Sequence, residues 1–487
     1  MTTLQTTGQT TAQTTAQTTA QTTHRSAEAI GRTELGPRPL PPLGRQRAGR
    51  APTKVDTVLD NGLRVIAVRR PGVPLVELRL RVPLAGTHRT HPARAELLST
   101  TVLAGTVRRS RAEVDMDLAR VGGDLGASVD PERLAISGNA LAGGLDVLLD
   151  VTADALTAAV HRTAEVRLEK ERLTAHLTLA LSQPRTIARL ALQRRRYGDH
   201  PVTRELPEIA DVVEVTPAAV RSLHRRAVVP RGSVLVLVGD LSPARAVDAV
   251  AAALDGWHAD RAAVELPPLP ALRGGDVQLV HRPGAVQSQL RLSAEALPRT
   301  DPRYPALQIA NLVYGGYFSA RLPENIREDK GYTYGAHSYI EFNPHGATLV
   351  VDTDTATDVT AAALHEIRYE LGRLVVVPPD EDELESARRY AIGSLSISMA
   401  SQSGLASTLL ALASVGLDLD WLRAHPARLA AVTRDEVAVV AAEFFAPTAF
   451  TGVVVGDADK LAGPLAALGG VDVSGVPGIS GVSGVPV

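Results

Sequence analysis

No cysteine occurs among the 487 residues, which excludes disulfides, thiolate zinc sites, iron–sulfur clusters and a cysteine nucleophile. A metal site in this chain would have to be built from His, Asp and Glu. A strong net charge is missing as well. The chain carries −2 overall, which argues against nucleic acid as a main partner. No run of about 18 apolar residues is present, so no membrane-spanning helix is expected. Nor does an apolar stretch of about 7–15 residues mark a secretory signal, and a cytoplasmic location is expected. Lysine is nearly absent, with four beside 47 arginines. That bias reads as genome base composition rather than function.

What charge there is lies unevenly. Residues 1–54 hold seven Lys or Arg and two acids. That net of +5 leaves −7 for the rest. From Gln5 to His24 a Gln-Thr-Thr unit recurs five times with a period of four. Such a repeat offers no apolar face to offset the entropy of ordering it, so residues 1–54 are expected to be a disordered basic arm. Residues 469–487, rich in Gly, Val, Ser and Pro, are expected to be a flexible tail.

The body between them is a tandem duplication. Val215-Thr216 is answered by Val432-Thr433, Val220 by Val437, Pro230 by Pro447 and Gly239-Asp240 by Gly456-Asp457, all at an offset of 217. Earlier in each half, Arg70-Pro71-Gly72 is answered by Arg282-Pro283-Gly284 and Arg79-Leu80 by Arg291-Leu292, both at 212. The halves fall at 55–255 and 277–468, with a linker at 256–276 punctuated by Pro267, Pro268 and Pro270. Each half opens on two strands, 63–68 and 75–82 or 277–281 and 287–294. Each closes on a strand at 234–239 or 452–456, after a helix with a Thr at its N-cap. Strands and helices mix without strict βαβ alternation. The expected fold class is therefore α+β: two homologous domains, each a mainly antiparallel sheet packed with helices, joined as a clam shell. Clefts between such domains commonly hold binding sites.

The run Gly315-Gly316-Tyr317-Phe318-Ser319-Ala320-Arg321-Leu322, followed by Asn325-Ile326-Arg327-Glu328 and Lys330-Gly331-Tyr332-Thr333-Tyr334-Gly335, is similar to the C-terminal-domain signature of the pitrilysin-like peptidases. These are the inverzincins, which include insulinase and the mitochondrial processing peptidase. In the first half, Asp60-Asn61-Gly62-Leu63-Arg64-Val65 resembles the family's opening strand and Gly122-Gly123-Asp124-Leu125-Gly126-Ala127-Ser128 its first hairpin. The turn from Tyr197 to Pro201 resembles its aromatic-Gly-x-His-Pro element. The likeness spans roughly residues 55–468.

That resemblance implies a zinc motif, H-x-x-E-H, on a helix of the first half, where two His one turn apart ligate the metal and the Glu activates its water. The matching helix is 92–103, and the motif positions read Glu96, Ser99 and Thr100. The third-ligand position falls near Ala175 or His176 on a later helix, 165–181. A serine hydroxyl cannot act as a general base near neutral pH as a carboxylate does, so no metal is expected in this chain. The second half keeps what the resemblance makes the substrate-binding pair, Arg327 and Tyr334. A guanidinium offers forked donors to carbonyl or carboxylate oxygens, and a phenol supplies a donor where negative charge develops. Gly331 would permit the tight turn between them. The bland reading is that Arg327 pairs with Glu324 or Glu328 and that Tyr334 packs in a strand.

Other residues invite weaker readings. His88, His91 and Glu96 could form a substitute metal set, or merely a polar loop at a helix entrance. His176 reads as a packed or rim histidine and His200 as a turn residue. Glu169 and Glu171 read as charges of a first helical turn. Together the expectation is a zinc-free, non-catalytic chain that binds peptide through Arg327 and Tyr334, with a zinc-bearing homologue supplying the hydrolytic site of a heterodimeric metallopeptidase. The alternative is a scaffold or peptide-binding protein with no role in proteolysis.

Overall fold

The computed structural model describes residues 51–473 apart from Asp260 and Pro344. The Gln-Thr-Thr repeat, most of the basic arm and nearly all of the Gly-rich tail lie outside the described residues. The first sheet contains β1 (Lys54–Val58), β2 (Arg64–Arg69), β3 (Leu75–Pro83), β4 (Asp124–Asp130), β5 (Arg133–Leu141) and β6 (Val234–Gly239), in the order β1-β2-β6-β3-β5-β4. The second contains β7 (Val277–His281), β8 (Gln287–Ala296), β9 (Ala336–Asn343), β10 (Gly346–Ala356), β11 (Thr451–Gly456) and β12 (Val471–Asp472), in the order β12-β7-β11-β8-β10-β9. Strands β2, β3, β4, β5 and β6 thus have counterparts in β7, β8, β9, β10 and β11. The outermost partner differs: β1 precedes its sheet and pairs antiparallel, whereas β12 follows its sheet and pairs parallel.

Both sheets are mixed. The late strand reaches its place only after a long helical excursion, so it can lie parallel to the opening strand. It does so in register, with Ile66 opposite Val236 and Leu279 opposite Val454. On its other side β6 runs antiparallel to β3 and β11 antiparallel to β8. A strand between two neighbours and two covered faces should be a continuous apolar run. VLVLVG and TGVVVG are such runs, and every residue of both is buried.

One face of each sheet is covered by helices of its own half, which bury Leu97, Leu98, Leu148 and Val220 in the first core and Leu307, Leu364, Leu371 and Val437 in the second. The opposite face is covered by the other half. Ile66, Val68, Val234, Val236 and Val238 pack against Leu405, Leu409 and Leu412 of the helix Gln402–Ala413, joined by Leu419 and Leu422. Reciprocally, Ile187, Ala188, Ala191 and Leu192 of the helix Pro184–Tyr197 pack against Val280, Val350, Val453 and Val455. The duplication extends to the polar rim of this clasp. Arg70 donates to the Ala400 carbonyl at 3.3 Å and Arg282 to the Ser182 carbonyl at 3.2 Å. The halves are therefore held by two apolar contacts as well as by the linker, each buried Leu contributing about 1.5–3 kcal/mol.

Equivalent local devices recur at the offset of 217. Thr216 accepts from the Ala219 N–H and Thr433 from the Glu436 N–H, each capping its helix. Just before these caps, Lys170 donates to the Val215 carbonyl and Arg388, one residue out of that register, to that of Val432.

Candidate functional site

In the first half the degenerate motif lies on the helix His91–Thr101. Ser99 is buried and donates its hydroxyl to the Glu96 carbonyl at 2.9 Å, while Thr100 turns its hydroxyl to the Leu97 carbonyl at 3.4 Å. Both side chains satisfy themselves on their own helix. Glu96 has no such partner, and burial pushes its carboxyl up to about 7. On the helix Thr163–Ser182, Ala175 and His176 are exposed. A zinc ion needs three or four convergent nitrogen or oxygen donors. One desolvated carboxyl beside two self-bonded hydroxyls does not fit it.

The substitute set is not assembled either. His91 is buried with Nε2 against the Leu84 carbonyl at 2.7 Å, and His88 Nδ1 faces the Thr90 hydroxyl at 3.0 Å. His200 is a turn residue. Its Nδ1 accepts from the Val202 N–H and its Nε2 meets the Pro267 carbonyl, which pins the linker. Glu169 is not in a first turn, because its helix starts at Thr163. It is buried and paired with Arg172 at 2.8 Å and Arg111 at 3.5 Å. Among the described residues, His281, Asp457 and Asp459 do bring ligand atoms close together. His281 Nδ1, however, already accepts from the Ala458 N–H at 3.0 Å and Asp457 from the Asp459 N–H, so these two side chains cap the helix Ala458–Leu468.

In the second half the signature run divides into anchors and free groups. Gly315 and Gly316 lie in a wide helical turn, Leu312–Gly316, and a second such turn, Glu324–Asp329, carries Arg327. Turns of this kind are frequent at functional sites. Arg321 is buried, with both Nε and Nη2 on the Glu383 carboxylate (2.6 and 2.7 Å) and Nη1 on the Val377 carbonyl. Asn325 donates to Glu370 at 2.8 Å and accepts from Lys330 at 2.9 Å. Gly331 has φ +63°, the left-handed conformation its turn requires. Thr333 and Thr353 both donate to the Gly335 carbonyl at 2.9 Å. The backbone on either side of Tyr334 is thereby fixed while its ring stands wholly in solvent, at 101% exposure.

Arg327 and Tyr334 line one open cleft of ≈ 810 Å³, together with Gly331, His337, Asp352 and Asp354. Glu96, Ser99 and Thr100 are not among its lining residues. Arg185 enters from the first half through the clasp and pairs with Asp354, its Nε at 3.1 Å. Asp352 pairs with Arg291 at 2.7 Å, and burial raises its carboxyl above the usual range. Half of the bland reading therefore holds: Arg327 Nε donates to Glu328 at 2.7 Å. The other half does not, because Tyr334 precedes β9 and packs in no strand. Glu96 lines a separate space of ≈ 380 Å³ with Arg189, Gln193, Glu205 and Glu341. Arg185 had no local signal in the sequence, since its partner Asp354 lies far along the chain in the other half. Phe318 was visible within the signature run, but its place beneath Arg327 was not.

A family model described as the peptidase M16 inactive domain matches residues 214–390. An uncharacterized zinc protease of Streptomyces coelicolor is 26% identical over 293 residues, 58% of this chain. The chain spans 63% of that relative's length. The uncharacterized zinc protease YmxG of Bacillus subtilis is 22% identical over 70% of this chain and 83% of its own. Among solved structures, a peptidase M16 inactive domain from Pseudomonas fluorescens superposes with a TM-score of 0.75 at 21% identity, covering 83% of this chain and 98% of that one. A protease from Helicobacter pylori gives 0.76 at 17% identity, covering 83% and 99%.

Proposed function

We propose, from the premise that this chain is a pitrilysin-like protein of the M16 inactive-domain type, that it is the zinc-free chain of a two-chain metallopeptidase. In this reading it binds an extended peptide at Arg327 and Tyr334 while a zinc-bearing homologue supplies the hydrolytic site. The observation that carries the proposal is an asymmetry. The motif helix holds Glu96 beside Ser99 and Thr100, whose hydroxyls are bonded to carbonyls of their own helix, yet Arg327 and Tyr334 share an open cleft on a loop that several buried side chains hold in place. A family-derived scaffold would have no use for a wholly exposed Tyr334.

Within this chain the groups act by binding and orienting. Arg327 donates to a peptide carbonyl, Tyr334 supplies a phenolic donor beside it, and the wall of β9 and β10 confines the peptide. Zinc belongs to the partner in this reading, and no step in this chain depends on it. The test is co-expression with a homologue that carries H-x-x-E-H, followed by co-purification and a peptidase assay with and without chelator. The isolated chain is expected to be inactive and zinc-free by metal analysis, and the pair active and chelator-sensitive. Hydrolysis by the isolated chain, or a fully active pair containing Arg327→Ala, overturns the proposal.

A further inference from the structure

Arg327 does not reach into the cleft as a free cation. Its guanidinium lies flat on the Phe318 ring, with Cζ 3.4 Å from the ring centroid. Its Nη2 donates to the Phe318 carbonyl at 3.3 Å and its Nε to the Glu328 carboxylate at 2.7 Å. The Arg327 side chain is 15% exposed as a result, and Glu328 remains 56% exposed. Phe318 itself is 68% exposed. A large aromatic ring left that open is no core residue, and its stacking contact is with the guanidinium. An arginine has five N–H donors in one plane. The Nε side of that plane is taken by Glu328 and by the Phe318 carbonyl, so the outer Nη protons are the ones offered to a ligand.

We infer that Phe318 and Glu328 are positioning residues for Arg327 and that together they set which oxygen the cleft reads. This deepens the peptide-binding proposal and rests on it. The ring fixes the guanidinium plane and shields one face, because a cation is attracted to the face of an aromatic ring. The carboxylate balances the charge, so the outer edge presents hydrogen bonds without a net positive charge. Such an edge suits the neutral carbonyl of an internal peptide bond. A terminal carboxylate, which gains most from an uncompensated guanidinium and its Nε fork, finds that fork occupied. The other charges on the cleft are paired among themselves: Arg185 with Asp354, and Arg291 with Asp352 behind it. The ligand class that follows is the interior of an extended polypeptide rather than its carboxyl end.

The test uses the full-length chain and fluorescence anisotropy of a dye-labelled, unstructured peptide of about twenty residues, prepared with an amidated and with a free-acid C-terminus. Wild type is expected to prefer the amidated form. Arg327→Ala is expected to weaken its binding about tenfold. Phe318→Leu, which keeps apolar volume but removes the ring face, is expected to weaken it about threefold at an unchanged melting temperature. Phe318→Trp should retain wild-type affinity. Glu328→Gln is expected to shift the amide-to-acid preference about threefold towards the acid. Wild-type affinity in Phe318→Leu, or an unmoved preference in Glu328→Gln, overturns this inference while Arg327→Ala still binds weakly. No binding by wild type, or wild-type affinity in Arg327→Ala, overturns the peptide reading beneath it.

Discussion

The two clasps that hold the halves together are related by the duplication but differ in chemistry. Where the second half covers the first sheet, the helix Gln402–Ala413 carries no charged residue and lays Leu405, Leu409 and Leu412 on a wall of Val and Ile. Where the first half covers the second sheet, the helix Pro184–Tyr197 carries Arg185, Arg189, Arg194, Arg195 and Arg196 around a smaller apolar stripe. Arg185 pairs with Asp354, Arg189 with Glu205 and Arg196 with Glu341. Both clefts described above open beside this second, arginine-rich clasp, one lined by Arg185 and the other by Arg189. Mostly apolar packing on one side fixes the halves, with Arg79 donating to Ser403 and Ser407 of the covering helix at 2.6 and 3.2 Å. Charged packing on the other leaves room and polarity for a ligand. The same fold element has thus become a fastener in one copy and a cleft wall in the other.

Breaking the leucine-rich clasp is expected to have the largest effect. Leu409 is 1% exposed against the first sheet, and Leu409→Ala should cost about 2–5 kcal/mol, the lost transfer energy plus a cavity. Arg185→Ala on the other side, a pair with one largely exposed partner, should cost no more than about 1 kcal/mol. Denaturant unfolding of both variants measures the difference. Equal losses would mean that the two clasps are energetically alike.

The second comparison is between the halves' sites. In the first, Ser99 and Thr100 bond back to their own helix and Glu96 is left desolvated. In the second, Arg321, Asn325 and Lys330 hold a loop on which Arg327 and Tyr334 face the cleft. Arg327→Ala should lower the efficiency of the reconstituted peptidase by about tenfold, the usual cost of deleting a charge-assisted hydrogen bond to a substrate carbonyl. Ser99→Ala should leave turnover unchanged, because its hydroxyl already serves the Glu96 carbonyl. A larger loss from Ser99→Ala than from Arg327→Ala would reverse the assignment.

Much of this was legible in the sequence because duplication writes everything twice. Matched residues such as Gly239-Asp240 and Gly456-Asp457 located β6 and β11, and the run from Gly315 to Gly335 marked the loop that carries Arg327 and Tyr334. The clasps were not legible. Leu405 and Ile187 sit on helices whose apolar positions look alike whether they face their own sheet or the other, and their partners lie far away in sequence. The mixed character of the sheets was hidden for a related reason, since a strand's sequence shows burial but not the direction of its neighbour. Glu169 was misread as a solvated first-turn charge because its burial and its pairing with Arg111 depend on another helix, far back in the chain. The pairing of Phe318 with Arg327 depends on two adjacent wide turns, which helical periodicity cannot foretell.

The unpartnered Glu96 gives the first half a pH signature. Its folded value of about 7 lies above that of an unfolded Glu near 4.5, so the folded state holds the proton more tightly. The stabilisation is full below about pH 4.5 and is lost as pH rises through 7. Glu96→Gln, which cannot ionise, should therefore match wild type near pH 4.5 and exceed it at pH 8 by about 3 kcal/mol. Thermal unfolding across that window measures it. A Glu96→Gln advantage that does not grow with pH would show that Glu96 finds a partner when charged.

The smallest expected difference lies between two caps at the same place in the two halves. Thr216 and Thr433 each accept from the N–H three residues on, at 3.2 and 3.3 Å. Thr433 belongs to a full capping box, because the Glu436 carboxylate reaches back to the Thr433 N–H at 2.7 Å and also accepts from its hydroxyl at 2.9 Å. In the first half the matching position is Ala219, which cannot return the bond. Replacing either Thr by Ala should cost about 1 kcal/mol, the usual worth of an N-cap side chain. Thr433→Ala should cost a few tenths more, because Glu436 then loses its hydroxyl partner. A double-mutant cycle with Glu436→Ala isolates that coupling. The cycle should show positive coupling for Thr433 with Glu436 and none for Thr216 with Glu436, since they stand in different halves and share no contact. Zero coupling in the first pair would mean that the exposed box adds nothing beyond the single cap and that the two helices begin with equal stability.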